Sequence, residues 1–209
     1  MEHEQQVEGR AGIARVEAFS DAILAIIITI MILELKAPEQ SGLQHLWALW
    51  PKFLAYVLSY AYLAIYWVNH HKLFSKAKTV TNSLLWSNVL ALFALSPIPF
   101  TTTYLSEQHF SDEASKVYLA SLLFPAVAYS WLQRIIRRTG DQSSAAMRFH
   151  DATIRKGVAS TIIYSIGFAA TFFAPWIGIA CAVLVAIFWF LPWGPIDRLF
   201  LRCENPDAC

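Results

Sequence analysis

The sequence predicts an all-α membrane protein with six transmembrane helices and both termini on the cytoplasmic side. Three observations carry this. Hydrophobic residues make up 56% of the 209 residues and charged ones only 15%, where a soluble domain has ~25% charged. The apolar residues fall in six successive segments, at about 15–35, 48–69, 83–105, 115–137, 153–173 and 175–196. Finally, with the N-terminus inside, only Lys36, Lys52 and Lys116 of the 16 Lys and Arg lie outside. That bias is the positive-inside pattern, and an odd number of spans would spoil it.

The elements follow in order. Segments this long suit helices, and none alternates with the period of a barrel strand. Residues 1–12 and 197–209 read as short cytoplasmic tails, so the whole chain, 1–209, reads as a single membrane domain. The start MEHEQQVEGR lacks the basic start of a secretory signal, and the first apolar run reads as retained. Pro51 and Pro175 suit first helical turns. Pro97 and Pro99 should kink the third segment, and Pro125 the fourth. The eight Trp lie mostly near segment ends, as an interfacial belt requires. The connection 139–152 is polar and reads as a mobile inner loop, while the last two segments join tightly at Ala174-Pro175.

The first segment, RVEAFSDAILAIIITIMILEL, poses a problem of length. Its apolar core, Ala22–Leu33, covers only ~18 Å at 1.5 Å per residue, against a hydrocarbon slab of ~30 Å. Phe19, Ser20 and Asp21 must therefore enter the membrane with it. A charged residue at that depth needs a partner and marks a functional position by default. Arg15 lies more than a turn from Asp21, so the two need not touch. His70, at the inner end of the second segment, and Asn88, in the third, lie at similar depth. A polar cluster joining the first three helices is physically reasonable. Along the first segment Ile26, Ile30 and Leu33 form a stripe at helical spacing with Thr29 beside it. Ile27, Ile28 and Met31 read as lipid-facing. By periodicity alone the plain reading is a helix buried all round in a bundle.

Several classes are excluded or weakened. A net charge of +1 gives no case for a nucleic-acid partner. No hydrolase, zinc-protease or P-loop signature suggests an enzyme. The adjacent His70 and His71 point ~100° apart on a helix and share no ligand face, so no cofactor is expected. No loop supplies the carbonyl rings of a potassium filter.

Arg15-x-x-x-Phe19-Ser20-Asp21 with the Ile/Leu/Thr-rich run that follows resembles the signature of the lysosomal potassium channel family called transmembrane protein one-seventy-five, in its bacterial single-repeat form. WVNHHKLF (67–74) and NVLALFALSPIPFTT (88–102) resemble its second-helix end and its third helix. The resemblance implies a homotetramer in the bacterial inner membrane, with first helices lining a central pore for potassium and other monovalent cations. It implies Ile26 as the narrow constriction, Ile30 and Leu33 as further pore wall, and Thr29 as a polar ring. It implies Arg15, Phe19, Ser20 and Asp21 as a packing signature, with His70 and Asn88 as candidates for holding Asp21. Glu17 departs from this plan as an extra acid within the signature. The rival reading is a secondary transporter, proton-coupled through Asp21 and His70.

Overall fold

A computed structural model describes residues 2–190, with side chains from Gly9 onward. The described residues form helices joined by turns: α1 (Glu2–Leu33), α2 (Leu43–Trp47), α3 (Trp50–Phe74), α4 (Asn82–Leu95), α5 (Ile98–Glu107), α6 (Asp112–Thr139), α7 (Ser144–Ala170) and α8 (Pro175–Phe190). The end of the sixth predicted segment, 191–196, and the tail 197–209 lie outside the described residues.

Local chemistry sets the boundaries. Pro97 and Pro99 split the third predicted segment into α4 and α5, with Ser96 capping the first piece. Neither proline has an N–H to continue the ladder. Pro125, by contrast, sits inside a continuous α6. One turn earlier, the Tyr62 hydroxyl donates to the Leu122 carbonyl at 2.6 Å. That bond satisfies a carbonyl next to the disturbed ladder. The hydroxyls of Thr81, Ser111 and Ser143 accept from the N–H three residues on, capping α4, α6 and α7. Asp112 and Glu113 in the first turn of α6, and Arg137 and Arg138 in its last, complement the helix dipole.

Two sequence expectations are corrected. The first helix starts at Glu2 rather than near residue 15, so most of the expected N-terminal tail is helical. Gly9 and Gly12 let it lie close to the α3–α4 connection. A Cβ at Gly9 would stand 2.9 Å from the Lys78 carbonyl oxygen, and one at Gly12 3.1 Å from Val80 Cγ2. The expected mobile loop at 139–152 is mostly the start of α7. The remaining turn is fastened: the Asp141 N–H donates to the Lys76 carbonyl at 2.8 Å, and Lys78 pairs with Asp141 at 3.0 Å. The Lys78 ammonium, helped by Ser143, holds the Asp141 carboxyl down at about 2.

The bundle buries two apolar clusters. One centres on Leu24, Leu63, Ile98, Leu119 and Tyr164, the other on Phe74, Leu84, Leu132 and Ile136. Helix α1 packs against α3, α4 and α5, while α6, α7 and α8 close the far side. Hydroxyls tie α3, α5 and α6 together, Thr102 donating to Ser59 at 2.7 Å and Ser59 bonding Tyr118 at 2.9 Å. By length and composition, Gly9–Leu33, Asn82–Glu107 and Asp112–Thr139 are apolar enough to cross a membrane, and Pro175–Phe190 is a shorter apolar helix. Helix α3 carries many Tyr and Trp, and α7 carries Arg155, Lys156 and several hydroxyls. Those residues are what dilute the hydropathy of the other two long helices.

Candidate functional site

Helix α1 has two contrasting faces. Ile13, Val16, Ser20, Leu24, Ile27 and Met31 are buried. Their spacing of three and four residues draws one stripe along the helix. Phe19, Ile26, Thr29, Ile30 and Leu33 are exposed, with Ile26 at 57% and Leu33 at 76%. At 3.6 residues per turn, these are centred roughly a third of a turn round from the buried stripe. The helix is therefore not buried all round. Ile27 and Met31 do not face lipid; they fill the subunit's own core against Tyr62, Leu92 and Leu95. An apolar residue on either side of the helix looks alike in sequence, so the face was not readable from side-chain type.

The signature residues divide between these environments. Ser20 is fully buried and donates to the Val16 carbonyl at 2.9 Å. The Asn88 amide of α4 donates to Ser20 Oγ at 2.9 Å, and Asn88 Oδ1 bonds His70 Nε2 of α3, also at 2.9 Å. His70 in turn stacks on Phe74, with centroids 4.3 Å apart. The expected cluster of the first three spans thus exists. His70 and Asn88, however, hold Ser20 rather than Asp21. Asp21 instead accepts from the Trp67 indole N–H at 2.9 Å.

Glu17 joins the same side of α1, its carboxylate 2.7 Å from His71 Nδ1. Sequence reasoning missed Trp67 and His71 as partners, having placed Trp67 in the interfacial belt. The signal was present. Glu17 and Asp21 are four residues apart, as are Trp67 and His71, so two helices meet with complementary pairs on facing turns. His70 and His71 diverge, one into the core and one to the surface.

Arg15 and Phe19 project elsewhere. Both are exposed and lie on the open face, below Ile26. Among the described residues no ion pair links Arg15 to Asp21. The open face thus carries, from its N-terminal end, a guanidinium, an aromatic ring and then aliphatic side chains. Thr29 interrupts the apolar surface. Its hydroxyl donates to the Ile26 carbonyl at 2.9 Å, which leaves oxygen lone pairs as its remaining capacity.

These features define an all-helical membrane protein with one apolar helix held along one face and uncovered along the other. The family model "Endosomal/lysosomal potassium channel TMEM175" matches residues 15–99, from Arg15 to the start of α5. A potassium channel of Chryseobacterium sp. (strain P1-3) is 44% identical over 185 residues, covering 88% of this chain and 95% of that relative. The crystal structure of a lysosomal potassium-selective channel TMEM175 homolog from Chamaesiphon minutus superposes with a TM-score of 0.77. It is 28% identical and covers 86% of this chain and 96% of that one. The mouse endosomal/lysosomal proton channel TMEM175 is 30% identical over 129 residues, of which 26% of its own length is covered. This chain belongs to the TMEM175 family.

Proposed function

We propose that the chain is a potassium-permeable channel of the bacterial plasma membrane. Four six-span subunits, both ends cytoplasmic, surround a pore lined by α1. The observation that carries this reading is the uncovered face of α1, because a helix held by Ser20 and Asp21 on one side needs a use for the other. Four copies turn Ile26, Ile30 and Leu33 into stacked apolar rings that close by dewetting. Such rings offer no oxygen to replace an ion's water, so opening must admit a partly hydrated ion. Thr29 oxygens add polar contacts beside the narrowest ring. Potassium releases water more readily than sodium, which gives preference without a carbonyl filter. Relatives that are potassium channels by name, from bacteria, support the ion and the membrane.

The transporter reading has less behind it. Asp21 is engaged by Trp67 and His70 by Asn88, so no hydrogen bond joins the two groups it needs. The relatives are channels by name.

The full chain reconstituted in planar bilayers tests the proposal. Under a potassium/sodium gradient the reversal potential should move toward potassium. No cation current, or equal passage of potassium and chloride, would overturn it. Ile26→Asn should wet the constriction and raise the current or weaken selectivity. Unchanged conduction would remove Ile26 from the constriction.

A further inference from the structure

The C-terminal end of the α1 open face carries a charge that the subunit does not engage. Glu34 follows Leu33 directly and is exposed. Among the described residues it makes no side-chain hydrogen bond and no ion pair, and the exposed Lys36 does not pair with it. Its backbone is still in helical register, because the Glu34 N–H donates to the Ile30 carbonyl at 3.2 Å. Glu34 thus stands one turn beyond Ile30, about 40° round from it.

The position is adverse for the helix itself. A helix C-terminus carries about half a negative charge and suits Lys or Arg, yet the last turn of α1 holds no basic residue. Among the described residues no backbone N–H takes the Met31 or Leu33 carbonyl. Carboxylate and free carbonyls therefore add up to one negative end. An acid in that place works against the helix, so the stability of the fold is not what it serves. Nearby bases do not cancel it. Over residues 34–42 the acids Glu34 and Glu39 face only Lys36. The guanidinium of Arg15 lies 19 positions back along the helix, which is ~28 Å at ~1.5 Å per residue, well beyond the Debye length of ~10 Å in ~0.1 M salt.

Apolar rings leave one property of a cation channel unexplained. Ile26, Ile30 and Leu33 reject ions of either sign, and the readier dehydration of potassium separates it from sodium but not from chloride. We propose that Glu34 selects for positive charge. In the four-subunit assembly proposed above, on which this inference rests, four carboxylates surround the mouth beside Leu33. They raise the local concentration of monovalent cations and turn chloride away, as a ring of acids does at a cation pore.

Single-channel recording of the full chain in planar bilayers tests this through its salt dependence. The Debye length is ~30 Å in ~0.01 M salt and ~3 Å in ~1 M. Glu34→Gln should therefore cut the unitary potassium current several-fold in ~0.01 M KCl and match the parent in ~1 M KCl. Under a KCl gradient its reversal potential should move from the potassium value toward the chloride value. Glu34→Asp should restore both. The thermal midpoint of Glu34→Gln should not fall, since the acid is adverse to the helix end. Equal currents for parent and Glu34→Gln at low salt would overturn the proposal. A deficit that persists in ~1 M KCl, or a lowered midpoint, would make Glu34 a structural residue and overturn it too. A parent that carries no cation current would overturn the channel reading and this inference with it. A potassium-selective parent indifferent to Glu34 would overturn this inference alone.

Discussion

Leu24 and Ile26 stand two residues apart on α1, both branched and aliphatic, and end in opposite environments. Leu24 is 2% exposed in the subunit core and Ile26 is 57% exposed on the open face. Between them the helix turns ~200°. The buried face is fixed by contacts within one chain: Leu24, Ile27 and Met31 in the core, with Ser20 bonded to Asn88. The open face makes no such commitments, and its composition answers to whatever it meets outside the subunit. The comparison teaches that the apolar content of this helix serves two separate ends, folding on one side and the proposed permeation path on the other.

The largest effect should come from exchanging the same residue type across the two faces. Leu24→Asn buries an amide with no partner and removes core packing. Such losses cost about 2–5 kcal/mol for the packing and about 1–3 kcal/mol for the orphaned polar group. The yield of monodisperse protein and its thermal midpoint should both collapse. Ile26→Asn should leave the midpoint within a few degrees of the parent while changing ion flux. Equal destabilisation by the two changes would erase the distinction between the faces.

A smaller effect should come from the polar tie of the buried face. Asn88→Leu removes both bonds of the Ser20–Asn88–His70 chain. Interhelical hydrogen bonds in membranes average ~0.6 kcal/mol and reach ~1.7 kcal/mol, so the expected loss is about 1–3 kcal/mol in denaturant titration. A double-mutant cycle with Ser20→Ala should show positive coupling. Additive losses would mean that the 2.9 Å contact does not help hold α1.

The sequence made some of this legible and hid the rest for physical reasons. The shortfall of Ala22–Leu33 against the slab joins Phe19, Ser20 and Asp21 to the first helix, and α1 does run through them; the breaks at Pro97 and Pro99 follow from a missing donor. The meeting of His70 and Asn88 with the first helix also came through, because three polar residues at one depth in an apolar medium have few alternatives. Their target did not, since Ser20 and Asp21 are adjacent and their directions differ by ~100°. Ile27 and Met31 were misplaced because lipid and protein interior favour the same side chains. The α7 start reads as a loop on its polarity, although Ser143 caps it and Ala145 and Ala146 are good helix formers. Polarity there belongs to a capped helix, not to irregular backbone.

The smallest expected effect lies at the start of α7 and concerns pH. His150 is buried on α7, with Nε2 lacking a protein partner among the described residues. Burial first, then the Arg137 guanidinium, pushes its pKa below the usual histidine value of about 6.5. Lys76 acts the same way, while Asp151 and Asp141 act against it. The folded protein thus resists a proton that the unfolded chain accepts. Where the unfolded state binds more protons, stability rises with pH, so this group's contribution is intact above ~6.5 and declines as pH falls below that value. The Arg137–Asp151 pair lies beside it, 2.8 Å apart. Thermal midpoints between pH 7.5 and 5.5 should fall for the parent and fall less for His150→Leu. Because every other charged group is common to both proteins, the difference between the two slopes isolates His150. Parallel slopes would show that the start of α7 opens enough to admit the proton, and the contrast between a tightly packed α6–α7 turn and the uncovered face of α1 would lose one of its two sides.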